Sequence, residues 1–150
     1  MKKIFFISVI ALSAMFASCA KKQAQTTEEP TICGKWELAA INNNAISATE
    51  NQEAAYVIFN LKDSTIAAFD GCNNIGGWVV KADSGNLVMV DLASTLQFCP
   101  EQGESAMLGA ILNVADKYKI NECAEHGKFL VLSSSTDSIS AIFKEAKEVK

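Results

Sequence analysis

The sequence contains no arginine, and its only histidine is His126. Acidic residues outnumber lysines, so the formal net charge is −4 at pH 7. Nucleic-acid-binding domains gain much of their affinity by neutralising phosphates with clustered lysine and arginine. An acidic chain without arginine is therefore a poor candidate for binding nucleic acid, and charge alone would not hold it on an anionic lipid surface.

Several catalytic and metal-binding patterns are also missing. No two cysteines have the C-x-x-C spacing of thioredoxin-like redox motifs. Zinc-binding cysteines usually occur in close pairs, and one histidine cannot complete such a set, so no metal or cofactor is predicted. There is no internal repeat, and 150 residues suffice for one domain with a substantial core.

The N-terminus has the features of a secretory signal peptide. Lys2 and Lys3 precede the apolar run IFFISVIALSAMFA, which is too short and wrongly flanked for a membrane-spanning helix. We expect the signal peptide to cover residues 1–18. The FASC sequence that ends at Cys19 resembles a lipobox, although Phe16 replaces the usual leucine. This resemblance predicts cleavage before Cys19 and attachment of several acyl chains, which together give stable membrane anchoring. The alternative is an ordinary signal peptide cleaved nearby.

Residues 19–30 are polar and contain no aromatic residue, which is typical of a flexible tether. The folded domain is expected over residues 31–144, followed by a charged C-terminal end at 145–150. Removal of the signal peptide leaves 11 lysines against 17 acidic residues, a net charge of −6.

The residues that follow the lipidated cysteine bear on localisation. Ala20 and Lys21 stand there, so the aspartate that can retain lipoproteins in the inner membrane is missing. We therefore expect an outer-membrane anchor facing the periplasm, with surface exposure left open.

Four cysteines remain if Cys19 carries lipid, namely Cys33, Cys72, Cys99 and Cys123. An even number in a secreted domain favours two disulfides. Each would stabilise the fold by about 2–4 kcal/mol by restricting the unfolded chain. Three connectivities are compatible with four cysteines, and their spacing does not choose among them.

Most of the domain has strand patterns. Three pairs of apolar runs flank short polar turns and predict hairpins: 55–61 with 65–69, 77–82 with 86–92, and 128–132 with 138–143. Further strands are predicted at 35–41 and 118–120. The sequence therefore predicts about seven or eight strands, mostly in hairpins.

One segment, residues 101–117, has helical spacing. Its apolar residues at i, i+3, i+4 and i+7 are Met107, Ala110, Ile111 and Val114. The neighbouring Leu108 and Leu112 widen this face. Such a stripe is far more often part of a core than of a cofactor site.

The stretch FDGCNNIGGW, Phe69 to Trp78, concentrates residues that also occur in active sites. Cys72 as a nucleophile would need a base, and His126 is predicted to be a solvated turn residue. Asp70, Asn73 and Asn74 could offer oxygen ligands to calcium, but they include only one carboxylate. A tight turn is the simpler interpretation, because asparagine and glycine both adopt turn conformations easily.

A phosphate-binding loop is the weakest alternative for this stretch. Gly71 to Gly76 have G-x-x-x-x-G spacing, but G-W follows where G-K-S/T is required. The aromatic residues are assigned to the interior by default: Trp36, Trp78, Phe59 and Phe69.

The order of the motifs GKWEL, FDGCNNIGGW, LASTLQFC and ILNVADKYKI resembles the META domain, the family of HslJ-like envelope proteins. The resemblance extends from about residue 31 to 144. It implies an α+β fold with a curved, mostly antiparallel sheet, barrel- or cone-like, packed with one main helix. It also implies a bacterial envelope location and an association with heat-shock or envelope stress, but no enzymatic reaction.

The same resemblance bears on the cysteines. The family's G-C-N and T-x-x-x-C cysteines fall on Cys72 and Cys99, which implies a Cys72–Cys99 disulfide and leaves Cys33–Cys123 as the second pair.

These observations favour a non-enzymatic, membrane-anchored envelope lipoprotein with a binding or stress-protection role. Its expected contacts are the membrane, through lipid on Cys19, and an envelope protein or small ligand that faces Asp70, Asn73 and Asn74. One alternative is a disulfide-stapled inhibitor of a protease or other enzyme. Another is a thiol-dependent enzyme that uses Cys72 or Cys99.

Overall fold

The computed structural model describes residues 31–47, 53–100 and 103–146, so the predictions for residues 1–30 lie outside it. This part of the chain contains nine strands and one short helix, α1 (Leu108–Val114), which a 3₁₀ turn at Glu104–Met107 precedes. The strands are β1 (Gly34–Ile41), β2 (Asn44–Ala45), β3 (Tyr56–Asn60), β4 (Thr65–Phe69), β5 (Asn74–Asp83), β6 (Asn86–Ser94), β7 (Lys117–Cys123), β8 (Gly127–Ser133) and β9 (Ser140–Glu145).

All nine strands belong to one antiparallel sheet, in the order β2-β1-β3-β4-β5-β6-β7-β8-β9. β1 also pairs with β9, so the sheet curves round into a ring. The β6–β7 pairing consists of Asn86 opposite Lys117 alone, whereas β7 and β8 pair along seven residues. The α+β class with a curved, mostly antiparallel sheet and a helix is therefore confirmed.

The core lies on the inner face of this ring. Strand alternation turns every second side chain inward, and the largest fully buried side chains include Trp36, Phe59, Leu130 and Phe143. The indole Nε1 of Trp36 donates a hydrogen bond to the carbonyl oxygen of Ile32 at 2.7 Å, which satisfies its one polar atom. Full burial of such side chains stabilises the fold by about 1.5–3 kcal/mol each.

The helix is shorter than the predicted 101–117, and its buried face differs. Lys117 already belongs to β7, and Glu101 and Gln102 lie outside the described residues. Met107 and Val114 are 42% and 40% exposed, so assigning them to the core was wrong. The buried set has the same i, i+3, i+4, i+7 spacing shifted by one residue, because it takes in both leucines: Leu108, Ile111, Leu112 and Ala115.

The predicted burial of Trp78 is also wrong, because this residue is 52% exposed. Ile75 and Val79 are buried on the inner face of β5, so Trp78 lies on the outer face. Trp36 and Phe59 are in the core as predicted, and Phe69 is half-buried.

Two boundaries differ from those predicted. β5 begins at Asn74, so only the first part of the FDGCNNIGGW stretch is a turn. β9 continues to Glu145, and the amide of Ala146 donates to the carbonyl oxygen of Lys35, so the C-terminal end is part of the sheet up to there. Residues 147–150 lie outside the described residues. Among the residues that are described, no helix has the length and apolarity to cross a bilayer.

Candidate functional site

A disulfide joins the β4–β5 turn to the segment after β6. It links Cys72 to Cys99, whose Cα atoms are 6.2 Å apart, a separation that disulfide geometry favours. The pairing that the family resemblance implied is therefore confirmed. We call residues 94–100 the tied loop, because this bond holds them against the turn.

The turn itself, residues 70–73, is organised by Asp70. Its Oδ1 accepts hydrogen bonds from the amides of Cys72 at 2.9 Å and Asn73 at 2.6 Å. Gly71, between Asp70 and Cys72, has φ +97, and a Cβ at this position would lie 3.0 Å from the hydroxyl oxygen of Ser105. Glycine therefore allows both the backbone conformation and the close approach of the 3₁₀ turn.

The side chain of Asn73 fastens the tied loop to this turn. Its Oδ1 accepts from the amide of Gln97 at 2.7 Å and from the hydroxyl of Thr95 at 3.1 Å. The same hydroxyl accepts from the amide of Asn74 at 3.0 Å. The turn and the tied loop are thus one hydrogen-bonded unit with a covalent link.

This arrangement changes the interpretation of the three residues predicted to face a partner. Asp70 is only 6% exposed, and its carboxylate accepts hydrogen bonds from the turn's own amides. Asn73 is half-buried and directed at the tied loop. Asn74 is exposed, and its role in binding stays a prediction. In the ranges that the structure describes, no cluster of histidine, cysteine, aspartate or glutamate could hold a metal ion.

The tied loop also exposes two large apolar side chains that the sequence analysis did not identify. Leu96 is 98% exposed and Phe98 is 91% exposed. Residues 94–100, STLQFCP, contain no charged residue. The sequence did contain a signal for this exposure. Leu96 and Phe98 are two positions apart, lie beside Cys99 and fall outside every predicted strand.

Four further exposed apolar side chains lie on β5 and β6, the two strands beside the tied loop. Trp78 and Val90 are opposite each other in the register of these strands, and Val80 and Val88 lie further toward the β5–β6 turn. All four side chains are on the outer face of the ring. We call Trp78, Val80, Val88, Val90, Leu96 and Phe98 together the apolar side.

Cys33 and Cys123 are both exposed and free, so the predicted second disulfide is wrong. Cys33 precedes β1, whereas Cys123 ends β7, and β9 and β8 lie between these strands. Three strand spacings amount to about 14 Å along the sheet, and a disulfide requires Cα atoms within about 7 Å. The sequence could not show this, because strand order was unknown.

Cys72 and His126 are not brought together either. Cys72 lies in the β4–β5 turn, whereas His126 lies in the β7–β8 turn, and the strand registers place these turns at opposite ends of the ring. The imidazole is exposed, as expected of a turn histidine. The structure therefore offers no nucleophile–base pair from these two residues.

The ring-shaped antiparallel sheet, the short helix α1 and the disulfide-tied turn define a small α+β domain of the kind that the motif order suggested. Residues 30–147 match the family model of the META domain, so the chain belongs to the META domain family.

The chain is also similar to a solved structure described as the NMR structure of the protein from Burkholderia xenovorans. The TM-score is 0.58 at 17% sequence identity, over 77% of this chain and 83% of that one. At this identity the likeness shows the fold alone. No curated protein matches the sequence significantly.

Proposed function

We propose that this chain is a non-enzymatic lipoprotein of the bacterial cell envelope. Lipid on Cys19 anchors it to the outer membrane facing the periplasm, and its META domain binds a partner and protects the envelope under stress. The anchor is supported by the signal-peptide pattern of residues 1–18 and by the FASC sequence. The stress role is supported by the family resemblance only.

The observation that carries the binding role is the exposure of Leu96 and Phe98 on a loop that a disulfide and four hydrogen bonds hold in place. Exposing apolar side chains to water is unfavourable, and fixing them in one conformation lowers the entropy that is lost on binding. A rigid apolar loop is therefore suited to contact another surface.

Two observations support a role without catalysis. Cys72 and Cys99 are bonded to each other, so neither sulfur is a thiolate nucleophile in this state. The polar side chains of the turn, Asp70 and Asn73, accept hydrogen bonds from the turn and the tied loop. A thiol-dependent enzyme would require the disulfide to open first.

The tied loop also favours a second candidate, an inhibitor of a protease or other enzyme. Inhibitors of this kind present preorganised loops to a cleft, and Leu96 and Phe98 are available for such a cleft. This candidate predicts one stoichiometric enzyme partner.

The anchor is tested by labelling cells with a fatty-acid analogue and by measuring the mass of the processed chain. We expect label on the wild type and on Cys33→Ala, and none on Cys19→Ala, which should also leave the membrane fraction. Label that persists in Cys19→Ala, or its absence from the wild type, would contradict the proposed anchor.

The binding role is tested by a photo-crosslinking residue at position 98 in intact cells, with position 136 in the exposed β8–β9 turn as the matched control. We expect specific products from position 98 only. A single enzyme as the product would favour the inhibitor candidate. Loss of an enzymatic activity when Cys72 and Cys99 are both replaced by alanine in a still folded protein would favour the thiol enzyme.

A further inference from the structure

We propose that the apolar side of the domain lies on the surface of the bilayer that carries the anchor, and that its occupant is zwitterionic lipid. This inference rests on the proposed lipidation of Cys19. It names the bilayer itself as the partner of the tied loop, and so assigns a surface, an orientation and a lipid class that the anchor alone does not imply.

The first argument is the clustering of exposed apolar side chains. Eight large apolar residues are exposed in the described ranges, and six of them form the apolar side. The other two, Met107 and Val114, are on the 3₁₀ turn and α1. Scattered exposed apolar residues need no explanation, but these six all lie on the β5–β6 hairpin or on the segment that follows it, and such a group marks a contact surface.

The second argument is the composition of the apolar side. The tied loop has no charge, and on β5 the ammonium of Lys81 is 3.4 Å from the carboxylate of Asp83, so these two charges offset each other. Asp91 on β6 is the remaining exposed carboxylate. Without an unpaired cation the surface does not attract anionic lipid, whereas tryptophan favours the membrane–water interface whatever the charge of the surface around it.

The third argument is that polar groups of the tied loop are already bonded. The amide of Gln97 donates to Asn73, and the amide of Thr95 donates to the carbonyl oxygen of Asn74 at 3.0 Å. The hydroxyl of Thr95 donates to Asn73 as well. Backbone groups that enter lipid must be satisfied within the protein, so these bonds lower the cost of placing Leu96 and Phe98 among the lipid chains.

The fourth argument is that the tether, residues 19–30, is long enough to permit this orientation. Thr31 lies twelve positions after Cys19, and a fully extended chain of this length spans about 40 Å. The longest strand, β5, has ten residues and is about 33 Å long. The tether can therefore allow the ring to lie on its β5–β6 side although the domain begins at β1.

The two tryptophans provide a native reporter. Trp78 is on the apolar side, whereas Trp36 is buried in the core. The lipidated protein, processed at Cys19, is reconstituted into phosphatidylcholine–phosphatidylethanolamine vesicles with brominated lipid, which quenches tryptophan that touches the acyl chains. We expect strong quenching in the wild type, and several-fold less in Trp78→Phe, where only Trp36 remains.

Two controls make this test specific. A reporter on the β8–β9 turn, Thr136→Trp in the Trp78→Phe background, should be quenched by aqueous acrylamide and not by bromolipid. Replacing Leu96 and Phe98 together by serine should lower the bromolipid quenching of Trp78 several-fold. The matched change of Met107 and Val114 to serine, which also removes two exposed apolar side chains, should leave it unchanged.

The outcomes separate this inference from the proposed function. If the protein does not float with the vesicles, the anchor fails and the inference fails with it. If it floats but Trp78 stays open to acrylamide and insensitive to bromolipid, the inference alone is overturned. Protection of Trp78 that depends on protein concentration without vesicles would assign the apolar side to a second copy of the chain. Protection by a crosslinked protein partner would assign it to that protein; both results overturn the lipid assignment.

Discussion

Two regions of the molecule are fastened in different ways. The β4–β5 turn is joined to the tied loop by the Cys72–Cys99 disulfide and by Asn73. The start of β7 is joined to the β8–β9 turn by Asp116, whose carboxylate accepts from the amide of Ser135 at 2.7 Å and also from its hydroxyl. The first fastening is sensitive to reductant, whereas the second is sensitive to acid. The covalent fastening holds the loop that exposes Leu96 and Phe98 to water.

The largest expected effect comes from removing the disulfide. The bond closes 27 residues of chain, which corresponds to about 3.5 kcal/mol of loop-closure entropy at 25 °C. We expect Cys72→Ala/Cys99→Ala to lower the free energy of unfolding by about that amount in urea titration. The matched pair Cys33→Ser/Cys123→Ser should change it by less than about 0.5 kcal/mol, because both side chains are exposed and free. Equal losses in the two variants would contradict the comparison.

Two neighbouring glycines test how closely β5 and β6 approach beneath the apolar side. A Cβ at Gly77 would lie 2.7 Å from Leu92 Cδ2 and 2.9 Å from the carbonyl oxygen of Val90, a backbone atom that cannot turn away. We expect Gly77→Ala to destabilise the fold by about 1–3 kcal/mol.

The matched control is Gly76→Ala, where a Cβ meets nothing within 4 Å. We expect that change to be neutral or to stabilise by about 0.4–1 kcal/mol, because the unfolded chain loses freedom. Thermal and urea unfolding of both variants measure the difference. A Gly77→Ala protein as stable as Gly76→Ala would mean that these strands adjust freely.

The hydrogen-bonded part of the first fastening is tested by Asn73→Ala. This change removes the acceptor for Gln97 and Thr95, so we expect a loss of about 1–3 kcal/mol. Amide hydrogen exchange should also become faster at Gln97. Asn74→Ala is the control because its side chain is exposed, and it should stay within about 0.5 kcal/mol of the wild type. Unchanged exchange at Gln97 would show that the disulfide alone holds the loop.

The smallest effect is expected at the second fastening. The side-chain hydrogen bond from Ser135 lowers the pKa of Asp116 below its ordinary value of 3.8, against a smaller opposing effect of desolvation. A lowered folded-state pKa stabilises the fold above pH 3.8, and this contribution is lost as the pH falls through the folded pKa.

Asp116→Asn should therefore be slightly less stable than the wild type at neutral pH, and the two proteins should converge in acid. NMR titration of the Asp116 carboxyl should show its pKa rising toward the ordinary value in Ser135→Ala. An unchanged pKa in that variant would contradict the assigned cause. The Cys72–Cys99 disulfide should remain intact in Ser135→Ala.

The sequence predicted the strands well because each hairpin has a local signature. Alternating apolar residues around the DSG turn at 83–85 specify the β5–β6 hairpin whatever else the chain does. The buried face of the helix was harder to predict, because two apolar stripes one residue apart share Ile111. Only packing against the sheet selects between them. β2 has just two residues and gives no periodic signal.

The candidate site could be predicted only in part. The Cys72–Cys99 bond followed from the motif order that the META family shares. The inward direction of Asp70 and the outward direction of Trp78 did not follow, because aspartate in a turn and tryptophan in a strand occur in both environments. The prediction of a second disulfide was wrong for a related reason, because two cysteines can bond only if the fold brings their strands close together.

The sequence by itself thus determined the local elements and the family, because these depend on residue order over short distances. Tertiary structure alone decided which apolar side chains remain in water. Closing the ring through β1 and β9 gives the sheet one inner face, and strand alternation leaves Trp78 on the outer face. The Cys72–Cys99 disulfide ties down the loop on which Leu96 and Phe98 are exposed.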